Sequence, residues 1–158
     1  MSVTGEAAEV VANPHTGERS SALLAQTGAI AVYEEHIRAL NAGEWEGQLC
    51  QFPNSAEVHL KDGVVLRGRS EIGRFIADGV RPRAEGGVLG LQFSERSRLR
   101  VGNTLVVHWT ADADFLAQPY LGSDAYVTDG RYMVSMVTTF DPDGLAFARQ
   151  EPHHLGEP

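Results

Sequence analysis

One cysteine in 158 residues excludes an intrachain disulfide, so burial and hydrogen bonding must hold the core. That residue, Cys50, lies between Leu49 and Phe52 in an apolar stretch, where a thiol serves as a small hydrophobe rather than a nucleophile. No apolar run approaches the roughly 20 residues needed to span a bilayer. Positive charge is scarce: 13 Lys and Arg against 21 Asp and Glu give a net charge of −8. Nucleic acid and anionic membrane are therefore poor partners. The densest basic run, Arg96-Ser-Arg98-Leu-Arg100, places its cations at alternating positions and reads as a solvated strand face. The opening MSVTGEAAEVVANPHTGERSS has neither the basic region nor the apolar core of a signal peptide, and a cytoplasmic protein is expected. Repeats and low-complexity tracts are also missing.

What is present is an ordinary globular composition, 42% hydrophobic and 22% charged, of a size for one domain with a real core. The C-terminal third is dominated by alternating runs rich in Val, Thr, Tyr and Phe, separated by turn dipeptides, as in an antiparallel sheet. Between Thr104 and Phe115 the parity is plain. Leu105, Val107, Trp109, Ala111, Ala113 and Phe115 share one face; Val106, His108, Thr110, Asp112 and Asp114 share the other. The apolar face needs a cover, and the helical segments upstream can supply it.

Residues 1–19 are polar and aperiodic and read as a disordered or loosely docked tail. A helix is expected from Ser20 or Ser21, with a stripe of Ile30, Tyr33, Ile37 and Leu40 and with His36 on or beside it. Gly43 stops it. A short helix over Glu44–Phe52 follows, then strands 56–60 and 64–67 around Asp62-Gly63, a strong hairpin signal. A third helix ends near Asp78, with Ile72, Phe75 and Ile76 inward. Strand 88–101 meets 104–115 through Gly102-Asn103. The last hairpin is expected at Asp141–Gly144, with Asp129-Gly130 as a weaker turn or bulge. The order predicts an α+β fold, a cone-shaped curved antiparallel sheet with about three N-terminal helices over its concave face. Its boundaries are 20–152, with a tail at 153–158. The open end of such a cone is the natural ligand site.

Several segments resemble the nuclear-transport-factor-2-like superfamily, in its SnoaL-like and ketosteroid-isomerase-like branches. They are Ala39-Leu-Asn-Ala-Gly-Glu44, Ala56-Glu-Val-His-Leu-Lys-Asp-Gly63, Leu66-Arg-Gly-Arg-Ser-Glu-Ile72, Asp129-Gly-Arg-Tyr132 and Phe140-Asp-Pro-Asp-Gly144. The likeness spans about residues 25–152. It implies the fold, a homodimer paired through the outer sheet faces, and a range of activities from isomerase to plain binding module. Against ketosteroid isomerases, His36 stands where an oxyanion-holding Tyr is expected, Leu60 at the proton-shuttling Asp, and Met136 near the second oxyanion acid. Leu60 cannot act as a base, which removes that isomerase chemistry. Against limonene-epoxide-hydrolase-like enzymes, the Arg-x-Asp pair falls on Trp109 and Ala111. The last-strand acid of those enzymes, and of SnoaL-like cyclases, falls on Glu151.

Two functions follow as expectations. One is a cofactor-independent enzyme of cyclase, dehydratase or isomerase type, acting on a hydrophobic cyclic or polyketide-like metabolite. Glu151 would be its acid or base and His36 the complementary donor. Tyr33, Trp109, Tyr132, Leu60 and Met136 would line its pocket, Trp109 by stacking on the ligand. The other is a binding module for a hydrophobic molecule or a protein partner. No cofactor or metal is expected: the row His108, Thr110, Asp112, Asp114 reads as sheet surface, and His153-His154 is a weak metal signal.

Overall fold

The computed structural model describes residues 7–149. Its framework is one six-stranded sheet with three helices packed against it. Helix α1 is Ala29–Ala42, α2 Trp45–Leu49 and α3 Gly68–Gly79. After a small N-terminal hairpin (β1 Val11–Ala12, β2 Arg19–Ser20), the sheet strands are β3 Glu57–His59, β4 Val65–Arg67, β5 Gln92–Val101, β6 Thr104–Asp112, β7 Tyr120–Thr128 and β8 Met133–Thr138. Their order is β4-β3-β8-β7-β6-β5. All neighbours are antiparallel except β3 and β8, which run parallel with Val58 opposite Met136.

The alternation in β6 is realised as predicted: Leu105, Val107, Trp109 and Ala111 are buried, while His108 and Asp112 are exposed. Gly43 stops α1 in the left-handed conformation at φ 68°, its N–H and that of Glu44 closing on Leu40 O and Ala39 O. The start of α1 is later than the sequence suggests. Residues 21–28 run without helix because their N–H groups bond elsewhere: Leu24 to Cys50 O, Gln26 to Arg131 O and Gly28 to Gly130 O. The buried face of α1 is also turned from the expected stripe. It carries Ala29, Val32, Tyr33, His36 and Ala39, with Ile30, Ile37 and Leu40 flanking it. His36 therefore sits in the middle of the face that meets the sheet.

Two further expectations are corrected. Within the stretch 1–19, read as a disordered or loosely docked tail, residues 11–19 form the β1–β2 hairpin together with Ser20, and Val11 is buried against the core beside Gly73 of α3. The last sheet hairpin turns at Asp129-Gly130, not at Asp141–Gly144. Asp129 Oδ1 accepts from the N–H groups of Arg131 and Tyr132, both at 2.8 Å, and Gly130 takes φ 87°. Asp141–Gly144 instead forms a single 3₁₀ turn at Pro142–Gly144, capped by Asp141. Residues 145–149 do not join the sheet; Phe147 pairs with Leu116 in an isolated bridge. Arg96, Arg98 and Arg100 lie on exposed positions of β5, Arg98 paired with Glu95 at 3.4 Å.

Candidate functional site

Between α1 and the sheet lie two polar groups that the core does not fully satisfy, Asp124 and His36. Asp124 lies at the centre of β7, opposite Val107 of β6 and Thr138 of β8, and points inward with Tyr126. It is 7% exposed. Its Oδ2 accepts from the Tyr126 hydroxyl at 2.7 Å, while Oδ1 is buried with no hydrogen-bond partner. Burial raises its pKa above the usual carboxylate value of 3.8, although the nearby Thr138 hydroxyl, the bonded Tyr126 hydroxyl and the nearby Trp109 indole pull the other way. Burial wins.

His36 faces Asp124's strand from α1. Its ring stands edge-on to Phe52, 6.4 Å between centroids, and 5.3 Å from Tyr126. Burial lowers its pKa to about 4, the neighbouring Gln51 amide offsetting part of the effect, so the ring is neutral at pH 7. His36 Nδ1 and Gln51 Oε1 are both buried without a closed hydrogen bond. Tyr126 is thus clasped between the two groups, bonded to one and packed on the other.

Both groups open into a cavity of about 290 Å³. Its wall is built from Phe52, Phe75, Phe93, Met136 and Phe140, with the segment Gly86–Leu91 at its mouth. Behind the wall, Trp109 packs edge-on to Phe93 at 4.9 Å and stacks with Tyr120 at 5.8 Å. A side chain at Gly122 would run into the Trp109 indole, so this glycine is what lets the indole lie flat against β7 beside Asp124. Trp109 Nε1 is itself buried and unpartnered.

The structure places the residues singled out from the sequence in different surroundings. His36 and Met136 come together on the cavity wall. Trp109 is 1% exposed and supports the wall from behind, out of stacking reach of a ligand. Tyr33 packs on Tyr126 at 5.3 Å, with burial and the Glu95 carboxylate holding its hydroxyl well above the ordinary tyrosine range. Leu60 packs on the core past the end of β3, and Tyr132 sits in the β7–β8 turn; neither reaches the cavity. Glu151 and His153-His154 lie outside the described residues. The acid in this cavity is Asp124, on the strand beside Met136, a residue that the sequence reading did not single out. Its signal was the inward parity shared by Asp124, Tyr126 and Thr128. Among the described residues, no group of three His, Cys, Asp or Glu could hold a metal ion, and no helix is long and apolar enough to cross a membrane.

A second buried polar cluster lies on the far side of α2. Arg69 is fully buried and donates to four carbonyls: Phe52 O at 2.8 Å, and Glu9 O, Ala22 O and Leu49 O each at 3.1 Å. It ties the N-terminal segment to the helices. Cys50 beside it is buried, its thiol bonded to Gly47 O and raised in pKa by burial, in keeping with a packing role.

This architecture defines the class of protein: the chain has the nuclear-transport-factor-2-like fold. The nuclear-transport-factor-2-like protein of unknown function from Cytophaga hutchinsonii superposes with a TM-score of 0.58 at 14% identity, over 75% of this chain and 94% of that one. A provisionally named ketosteroid isomerase of Kribbella flavida gives 0.56 at 18% identity, over 82% and 88%. TerC, co-crystallised with polyporic acid, gives 0.57 at 18% identity, over 72% and 91%. At such identities the likeness is one of fold. No family model and no curated protein matches the sequence.

Proposed function

We propose that this protein is a small-molecule enzyme that moves protons on a hydrophobic cyclic substrate, with Asp124 as acid–base group and His36 as its uncharged partner. The observation that carries this is the opening of two buried titratable side chains, each driven by burial toward its uncharged form, into one apolar cavity. Proton transfer next to a carbonyl calls for a group whose pKa lies nearer neutrality than a solvent-exposed carboxylate, and apolar burial supplies that displacement. A neutral imidazole can hydrogen-bond the substrate oxygen as charge develops there. Asp124 takes the role that the sequence reading gave to Glu151.

The test is solvent deuterium exchange at the carbon beside the carbonyl of cyclic ketones such as 2-tetralone, followed by NMR. Wild-type protein should accelerate exchange, and Asp124→Asn should lose most of that acceleration, by about 100-fold or more. Equal rates with and without wild-type protein would overturn the proposal. A second reading, a module that binds without turnover, draws on the predominantly apolar wall and on the bound polyporic acid of TerC.

We also propose that the outer sheet face pairs with a second copy. Across it, Leu99, Val106, Ala125 and Val137 are register neighbours, and Leu121 is 62% exposed on the same face. A sedimentation mass of 17.1 kDa at micromolar concentration would contradict this pairing.

A further inference from the structure

The six-stranded sheet ends in two unlike edges. At one, β4 is three residues long and its Arg67 is paired with Glu57, which leaves a neighbouring chain little to add to. At the other, β5 runs for 10 residues without a proline and is exposed at every position except Phe93. Among the described residues no strand lies beyond it.

Which backbone groups that edge offers follows from the register. In an antiparallel ladder every second residue turns its N–H and C=O away from its neighbour. Phe93 shows the phase. Asn41 Oδ1 accepts from the Phe93 N–H at 2.8 Å and Asn41 Nδ2 donates to the Phe93 carbonyl at 3.0 Å, so this side-chain amide takes the place of a further strand. Phe93 faces Ala111 of β6. A bulge at Arg96 then shifts the register, and Arg98 and Arg100 come to face Val107 and Leu105, in the same phase of β6 as Ala111. Arg98 and Arg100 therefore turn their backbone groups outward as Phe93 does. Among the described residues no side chain or loop caps them.

The side chains along this run divide by charge. Arg98 and Arg100 share the inner face with buried Val107 and Leu105, and the Arg98 guanidinium stands 5.8 Å from the Tyr33 ring. Leu99 and Val101 lie on the outer face, 61% and 67% exposed. Glu95 pairs with Arg98, while Arg100 Nε donates to Gly102 O; among the described residues no carboxylate pairs with Arg96 or Arg100. In a chain of net charge −8 this is a local excess of positive charge. A second copy is a poor occupant, because antiparallel pairing about Leu99 would set each Arg98 against an Arg100.

We propose that the Ser97–Val101 edge of β5 docks an extended segment of another protein, added antiparallel as a further strand, with acidic residues opposite Arg98 and Arg100 and apolar residues between them. The backbone of that segment completes the outward bonds of Arg98 and Arg100, its carboxylates face the two guanidiniums, and its apolar side chains continue the outer face beside Leu99 and Val101. This surface lies apart from the cavity, and the inference does not depend on the enzyme reading.

Fluorescence anisotropy of the full chain with labelled heptapeptides tests it. The probes are Glu-Val-Glu-Val-Glu-Val-Glu, the same peptide with Lys for Glu, and the acidic peptide N-methylated at every Glu. The acidic peptide should bind saturably in the micromolar range, and the other two more weakly by about tenfold or more. Charge reversal, Arg98→Glu with Arg100→Glu, should weaken the acidic peptide by about tenfold or more and admit the Lys peptide in its place. If that variant fails to fold, Arg98→Gln with Arg100→Gln replaces it, with the same loss for the acidic peptide. Amide NMR should place the shifted signals on β5, those of Arg98 and Arg100 among them. Absence of saturable binding, equal affinity for the Lys or the methylated peptide, unchanged affinity in the arginine variant, or shifts away from β5 would each overturn the inference.

Discussion

Among the described residues, Arg69 and the Asp124–His36 pair are two places where ionisable side chains are buried, and they are resolved in opposite ways. Arg69 has no carboxylate partner, yet its guanidinium spends its N–H groups on four backbone carbonyls drawn from three separate segments. Burial lowers its pKa, but from so high a start that it stays charged. Four of its five N–H groups are spent in this way. Asp124 and His36 each keep an unpartnered atom and share a cavity, and burial drives both toward neutrality. The first cluster closes the structure; the second holds back bonding capacity for something that arrives later.

Breaking Arg69 should have the largest effect. Arg69→Met keeps most of the volume but leaves four carbonyls without their donor, and stability should fall by about 3 kcal/mol or more in urea denaturation. A loss under 1 kcal/mol would show that the cluster is not the structural tie described.

His36 comes next, through pH. Its folded value of about 4 lies below the ordinary 6.5, so the neutral form is favoured by folding. The unfolded chain therefore takes up a proton first as pH falls. Stability is fully present above pH 6.5 and should drop between pH 6.5 and 4, by roughly 3 kcal/mol at about 1.4 kcal/mol per unit. His36→Phe should flatten that part of the profile; an unchanged slope would mean another group is responsible.

Asp124 titrates with the opposite sign. Its folded pKa is raised, so its contribution is present below the unfolded value of 3.8 and lost as pH rises through the folded value. Asp124→Asn should cost little at low pH and gain about 1 kcal/mol relative to wild type at pH 8, while removing activity. Stability lost equally at all pH values would assign Asp124 a structural role like that of Arg69.

The smallest effect should come from the outer face. Leu121→Lys ought to change monomer stability by less than about 0.5 kcal/mol while shifting the sedimentation mass downward.

How much of this the sequence carried depended on which face of an element was apolar. In β6 the inward residues Leu105, Val107, Trp109 and Ala111 are hydrophobic and the outward ones polar, so parity pointed the right way. In β7 the pattern inverts: Asp124, Tyr126 and Thr128 face in, while Leu121, Ala125 and Val127 face out. A reading that equates apolar with inward passes over Asp124 for that reason. His36 and Met136 were reachable from helical spacing and from the resemblance. Trp109 was placed on the correct face, but Phe93 and Phe140 stand between it and the cavity. The N-terminal hairpin had no periodicity to read, because it is held by Arg69, Asn54 and Val11 packing rather than by its own pattern. Arg69 itself looks like any surface arginine until four carbonyls converge on it.

The central claim is that Asp124 is a protonatable acid in an apolar cavity and not a settled structural carboxylate. The direct measurement is the pH titration of its carboxyl carbon by NMR in aspartate-labelled protein, assigned by comparison with Asp124→Asn. The account predicts a titration midpoint clearly above 3.8. A midpoint at or below 3.8 would contradict it.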